Sequence, residues 1–131
     1  ILETNAAMLA AKNRTNDDLI ELSKALDAHR EKAEVDEYSV EEDLLFHLKI
    51  AEAGKNSVLM SLMMIITPDI MTYFKKHNVC KDRRSELAVE EHERILKHIR
   101  EGNPEEASNA VQDHLQDIVD YVRSIDFKNR S

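Results

Sequence analysis

Three of the six histidines in this 131-residue chain stand where a buried apolar side chain would be expected. In VEEDLLFHLKIAEAGKN, residues Val40–Asn56, His47 has Val40, Leu44, Ala51 and Gly54 within about 60° of it at 100° per residue. Asp43 lies one turn earlier and about 40° away, so its carboxylate and the imidazole point to the same place. His92 is flanked on its face by Ala88, Val89, Ile95, Leu96 and Ile99, and His114 by Ala107, Val111, Ile118 and Tyr121. The other histidines fall elsewhere. His98 lies among Arg94, Glu91 and Glu101 on a solvated face, His29 stands near Leu22, Leu26 and Ala33 but toward a polar edge, and His77 closes a helix in a basic run.

Taken singly, each buried histidine reads as a core imidazole bonded to a carbonyl, and Asp43 as a charge favoured at a helix start. Taken together, three helices each bring one imidazole to the centre of an apolar face, and one adds an aspartate. Burying that carboxylate alone is costly, so it must be paired or neutralised. A shared divalent cation would satisfy all four groups, since three imidazole nitrogens and a carboxylate oxygen suit Zn, Ni, Mn or Fe. On the residues alone, core histidines and a shared ion both stand. His92-Glu93 is not followed by a second His at position 96, which is Leu96, so the zinc-protease helix is absent. The E-x-x-H pattern of di-iron bundles, CxxC, a Gly-rich phosphate loop and G-x-S-x-G are absent too. Cys80, the one cysteine, reads as a surface thiol in a basic loop and suits a reducing cytosol.

The elements that must position these groups are helices. With 42% hydrophobic and 34% charged residues, two Gly and two Pro, the chain reads as one all-helical domain. A net charge of −8 argues against nucleic-acid binding by these residues themselves. No apolar run is expected to approach the roughly 18 residues of a membrane span.

The caps divide the chain as follows. Helix 1 covers about residues 1–13, and Thr15 with Asp18 starts a second that runs to about Ala33. After a connection over Val35–Tyr38, Ser39 and Glu42 form a capping box for a third helix closed by Gly54 as C′. Asn56 caps SVLMSLMMII, and Thr67-Pro68 is expected to break or kink that helix, with a fifth from Pro68 to His77. HNVCKDRRS reads as a loop, a sixth helix spans about Arg84–Glu101 to Gly102, and Asn103-Pro104-Glu105-Glu106 starts a seventh to about Asp126. Ile1 begins in full helical pattern without a cap, which reads as a piece of a longer chain.

DLLFHLKIAEAGKN resembles the D-x-x-F-H-x-x-I-A-x-A-x-x-N segment of the FCD domain, the C-terminal effector-binding domain of FadR-type regulators in the GntR superfamily of bacterial transcription factors. EEHERILKHIREGNPEEASNAVQDHL is similar to the same family's second motif, and LETNAAMLAAKNRTNDDLIEL to its first two helices. His98 departs from the small residue usual at its position. The resemblance implies an all-α antiparallel bundle of six to seven helices around a central metal or ligand cavity. It implies metal ligands at Asp43, His47, His92 and His114, with Zn the expected ion and Ni, Mn or Fe alternatives. It further implies a cytoplasmic homodimer that touches DNA only through an N-terminal winged helix-turn-helix absent from this chain. The effector would be a small carboxylate, a hydroxy acid or sugar acid, held at a site of about one net positive charge, with Ser85 and Gln112 as candidate polar contacts. No catalysis is expected. Two further readings compete, a metal-dependent hydrolase or isomerase and a helical interaction module without metal.

Overall fold

The computed structural model describes residues 2–35, 39–77 and 82–130, with the side chains of 82–84 and 125–130 excepted, and among them every regular element is a helix. Six helices follow one another: α1 Leu2–Asn13, α2 Asn16–Glu34, α3 Val40–Ala53, α4 Ser57–His77, α5 Asp82–Glu101 and α6 Pro104–Arg130. Most connections are two or three residues long, the form that folds neighbouring helices back on each other. Residues 36–38 of the second connection, and Cys80 with its immediate neighbours, lie outside the described residues.

Helix α1 sits in the middle of the bundle, against α3, α5 and α6. Its buried residues are Ala6, Ala7, Ala10 and Ala11, and such small side chains let neighbouring backbones approach closely. The core continues through Leu22 and Leu26 of α2, Phe46 and Ile50 of α3, Ile95 and Ile99 of α5 and Val111 of α6. Leu22, Leu26, Ile95, Ile99 and Val111 lie on the faces the sequence periodicity turns inward, while Phe46 and Ile50 widen the buried face of α3 beyond the stripe around His47.

Several ends form as the sequence predicts. Asp18 N–H donates to Thr15 Oγ1 (3.2 Å) and Thr15 N–H to Asp18 Oδ2 (2.9 Å), a complete capping box at α2. Asn56 Oδ1 accepts from Leu59 N–H at 3.0 Å and caps α4. Gly102 takes a φ of 71°, the left-handed turn glycine tolerates best, ahead of α6.

Other ends differ. Gly54 is right-handed (φ −72°), and the left-handed residue is its successor Lys55 (φ 61°). What Gly54 provides is space, because a Cβ there would stand 3.0 Å from Leu9 Cβ on α1. Ser39 makes no side-chain cap at α3, and its hydroxyl is spent on Ser85 Oγ at 2.8 Å. Helix α5 begins at Asp82, two residues ahead of the sequence reading.

The largest departure is α4. It runs unbroken through Pro68, so there are six helices and the expected fifth is its continuation. Proline withdraws the donor for the Met64 carbonyl and crowds that carbonyl, but Met64 is 59% exposed, where the carbonyl can tilt outward and water can take the missing place. The Thr67 hydroxyl also donates to the Met63 carbonyl at 2.6 Å within the same turn. The unbroken helix has 21 residues and contains an 18-residue window of mean hydropathy 1.5, long and apolar enough by length and composition to cross a membrane, contrary to the sequence expectation. Leu59, Met63 and Phe74 turn inward, while Val58, Leu62, Met64, Ile65 and Tyr73 form an exposed apolar face.

Candidate metal centre

Asp43, His47, His92 and His114 converge. All four are buried, and one ligand atom from each lies within 4.8 Å of the others. Asp43 Oδ1 is 3.2 Å from both His47 Nε2 and His92 Nε2. His92 Nε2 is in turn 3.2 Å from His47 Nε2 and 3.3 Å from His114 Nε2. The helices explain the meeting. Asp43 and His47 stand one turn apart on α3, while α5 and α6 each turn the centre of an apolar stripe toward them. The His47 and His114 rings stack (centroids 5.4 Å, 16°), and His92 meets both edge-on, with Phe46 stacked behind it at 4.4 Å.

The outward nitrogens are also engaged. His47 Nδ1 is 3.0 Å from Glu3 Oε2 on α1. His114 Nδ1 is 3.2 Å from Glu91 Oε1 on α5. His92 Nδ1 is 3.2 Å from Nδ1 of His29 on α2. His47 and His92 are thus hydrogen-bonded from behind, the arrangement usual for metal-ligating histidines, while His114 has a carboxylate close behind it without hydrogen-bond geometry.

The electrostatics divide the histidines. Burial pushes the His47 imidazole down, but the Glu3 and Asp43 carboxylates outweigh it and raise it to about 10. His92 goes the other way: burial drives it well below the ordinary histidine range, and the charges of His114 and His47 add to that over the opposing pull of Asp43. Burial would raise Asp43, yet His92 and His47 hold it well below the usual carboxylate range. Glu3 is likewise lowered against its burial by His47.

The residues fit a divalent cation. Four of the six donor pairs are 3.2–3.3 Å apart, close enough to share an ion at about 2.0–2.1 Å, while the set as a whole spans up to 4.8 Å and would draw in around one. Three imidazoles and one carboxylate suit Zn, Ni, Mn or Fe. The four groups are 0–5% exposed, and five surface cavities of about 320–430 Å³ among the described residues are lined by other side chains.

Of the two polar contacts suggested by sequence, Ser85 is buried two turns before His92 on the same face of α5, paired with Ser39. Gln112 is not brought to the cluster. It precedes His114 by two residues, about 200° around a helix, and lies exposed in a shallow groove with Thr4 and Ser108.

Sequence reasoning missed the three groups behind the ligands. His29 was read toward a polar edge, yet it is fully buried; its spacing from Leu22, Leu26 and Ala33 was the available signal. Glu91 reads from sequence as part of a solvated face, yet its side chain is mostly buried and stands 3.2 Å from His114 on α6. Glu3 gave no signal beyond being an acid in the first turn of α1.

Comparison with known proteins agrees with this architecture. The FCD domain family matches residues 1–117. The HTH-type transcriptional regulator LutR of Bacillus subtilis is 32% identical over 93% of this chain and 58% of its own length. The Uxu operon regulator of Haemophilus influenzae is 29% identical over 90% of this chain and 46% of its own. The HTH-type transcriptional repressor NanR of Klebsiella aerogenes is 26% identical over 88% and 45%. A solved structure, Streptococcus agalactiae GntR, superposes with a TM-score of 0.71 at 26% identity, over 92% of this chain and 52% of that one. The chain thus spans about half the length of the curated relatives it matches. Its matched residues, its helical bundle and its regulator relatives lead to one conclusion: the chain belongs to the FCD domain family of GntR-type transcription regulators.

Proposed function

We propose that this chain is the metal-dependent sensing domain of a cytoplasmic transcription regulator. Asp43 Oδ1 and the Nε2 atoms of His47, His92 and His114 hold a divalent ion, Zn in the first instance. A small carboxylate, such as a hydroxy acid or sugar acid, binds at that ion. Its binding biases helix packing and so the DNA affinity of a winged helix-turn-helix domain in a homodimeric parent protein. Its relatives are transcription regulators, and we assign the chain itself no catalytic role. The observation that carries the reading is the convergence of four buried donor groups, with Glu3, His29 and Glu91 close behind the three imidazoles.

The bound ion would supply a Lewis-acidic positive charge for a carboxylate oxygen. The sequence expectation of about one net positive charge needs revision, because Glu3 and Glu91 stand directly behind the ligands. Those carboxylates reduce the long-range pull on an anion, so recognition rests on direct coordination. Ser39 and Ser85 stand on the ligand-bearing faces of α3 and α5, where opening of their shared hydrogen bond would release two hydroxyls toward an effector.

The test is metal analysis of protein purified without a histidine tag, followed by a thermal-shift screen of small carboxylates with and without a chelator. A stoichiometric ion and a metal-dependent rise in melting temperature support the reading. Absence of any bound divalent metal after reconstitution would leave only an interaction module. Metal-dependent turnover of a carboxylate would favour a hydrolase or isomerase.

A second reading is favoured by the burial of the ligands and by cavities that do not reach them. In it the ion is structural and ties α3, α5 and α6 together, as zinc does in small folded domains. A stoichiometric ion with no carboxylate response would select it.

A further inference from the structure

The Glu3 carboxylate is hydrogen-bonded to His47 from behind, and that of Glu91 lies close behind His114. His92, the donor that touches all three others, is backed by an imidazole. His29 is fully buried on α2, its Nδ1 is 3.2 Å from His92 Nδ1, and its ring is tilted against that of His92 with centroids 4.9 Å apart. Its other nitrogen, Nε2, is buried without a hydrogen-bond partner.

Two neutral imidazoles meeting through Nδ1 atoms share one proton. If His29 donates it, His92 must carry its own proton on Nε2, the atom that faces Asp43 and the other histidines, and no lone pair remains there for an ion. If His92 donates it, His92 Nε2 is bare and faces the cluster, while the His29 proton sits on the unpartnered Nε2. Only the second arrangement makes His92 a ligand. A histidine present for packing alone would be expected to turn its second nitrogen to a backbone carbonyl, since an unmade buried hydrogen bond is costly. His29 instead uses its one hydrogen bond on His92.

We infer that His29 is a positioning residue for the metal centre: its Nδ1 accepts the proton of His92 Nδ1–H, fixing the tautomer and ring orientation in which His92 Nε2 binds the ion. The inference rests on the reading of the cluster as a metal centre. It also explains why a neutral acceptor stands here. Two carboxylates already back the cluster, and a third would add another buried negative charge.

The experiment is Zn²⁺ binding to the full chain at one pH, measured by competition with a chromophoric chelator, for the unaltered protein, His29→Leu and His29→Asn. Asparagine places an oxygen near the position of histidine Nδ1 and restores the acceptor; leucine fills space without one. His29→Leu should weaken Zn²⁺ binding by about 10–100-fold, the range for lost partners of ligand histidines. His29→Asn should stay within about fivefold of the unaltered protein. The visible spectrum of the Co²⁺-substituted protein should change in His29→Leu and return in His29→Asn, which a packing role would not produce. A loss below tenfold in His29→Leu, or His29→Asn as weak as His29→Leu, overturns the inference. If His29→Leu does not fold, His29→Asn decides alone: within fivefold supports it, weaker overturns it. Should the unaltered chain bind no Zn²⁺, the metal-centre reading falls and this inference with it. Tight Zn²⁺ binding that ignores His29 removes this inference only.

Discussion

Loading the centre should expel one proton near neutral pH, and His47 should be its source. The Glu3 and Asp43 carboxylates raise this imidazole to about 10 against the downward push of burial, so without an ion it is charged across the physiological range. His92, well below the ordinary range, is already neutral. A ligand nitrogen must give up its proton, so metal and proton compete at His47. Between pH 7.0 and 8.5 the apparent affinity should then rise about tenfold per pH unit, roughly 30-fold or about 2 kcal/mol in all. The sign of the ion-free stability is opposite. A histidine with a raised folded value contributes stability that is full below about 6.5 and lost as pH rises toward about 10. Ion-loaded and ion-free melting temperatures should therefore diverge as pH increases. Calorimetric Zn²⁺ titration in pairs of buffers with different ionisation enthalpies counts the proton directly. Glu3→Gln removes one of the two carboxylates and should reduce the release at the upper end of that range. A release well under half a proton at pH 7.5, or an affinity flat from pH 7.0 to 8.5, would refute the assignment of His47.

Further outcomes follow from the same geometry. His92→Ala and His114→Ala should each abolish stoichiometric metal, read by elemental analysis; full occupancy in either variant would sink the ligand set. Chelation should lower the melting temperature, since an ion at a thousandfold excess over its dissociation constant stabilises by about 4 kcal/mol. Below about pH 6 the ion should be lost as protons compete for its imidazoles, with a drop in melting temperature that the ion-free protein does not share. Gly54→Ala should destabilise by about 1–3 kcal/mol in denaturant melts, because its Cβ would press on Leu9 Cβ at 3.0 Å.

The convergence of Asp43, His47, His92 and His114 was legible because amphipathic helices declare their inward faces, and a polar residue at the centre of such a face stands out. Asp43 and His47 even carried their mutual distance, one turn of α3. Their supporting groups were not legible, since Glu3, His29 and Glu91 matter only once α1, α2 and α5 are packed against their neighbours. Periodicity places a residue on its own helix and says nothing about which neighbour it meets. Gln112 was a failure of the same angular rule, placed near a ligand by sequence distance when two residues mean the far side of α6. Pro68 shows the limit of local propensity: on an exposed face the lost hydrogen bond is replaceable, and α4 continues. Ser39 shows that a cap can be outbid, here by the hydroxyl of Ser85.

The spread of the ligands along the chain shapes how the domain folds. Asp43 and His47 can meet an ion as soon as α3 exists, but His92 and His114 must arrive from later helices. From residue 43 to residue 114 the chain closes a loop of 71 residues (114 − 43), an ordering cost of about 4 kcal/mol by loop-closure entropy. During synthesis the set cannot be completed until α6 has emerged and docked. In the proposed metal-loaded form, ion capture would then be the last long-range event of folding, a clasp fastened after the helices have found each other, and it should slow unfolding far more than it speeds folding.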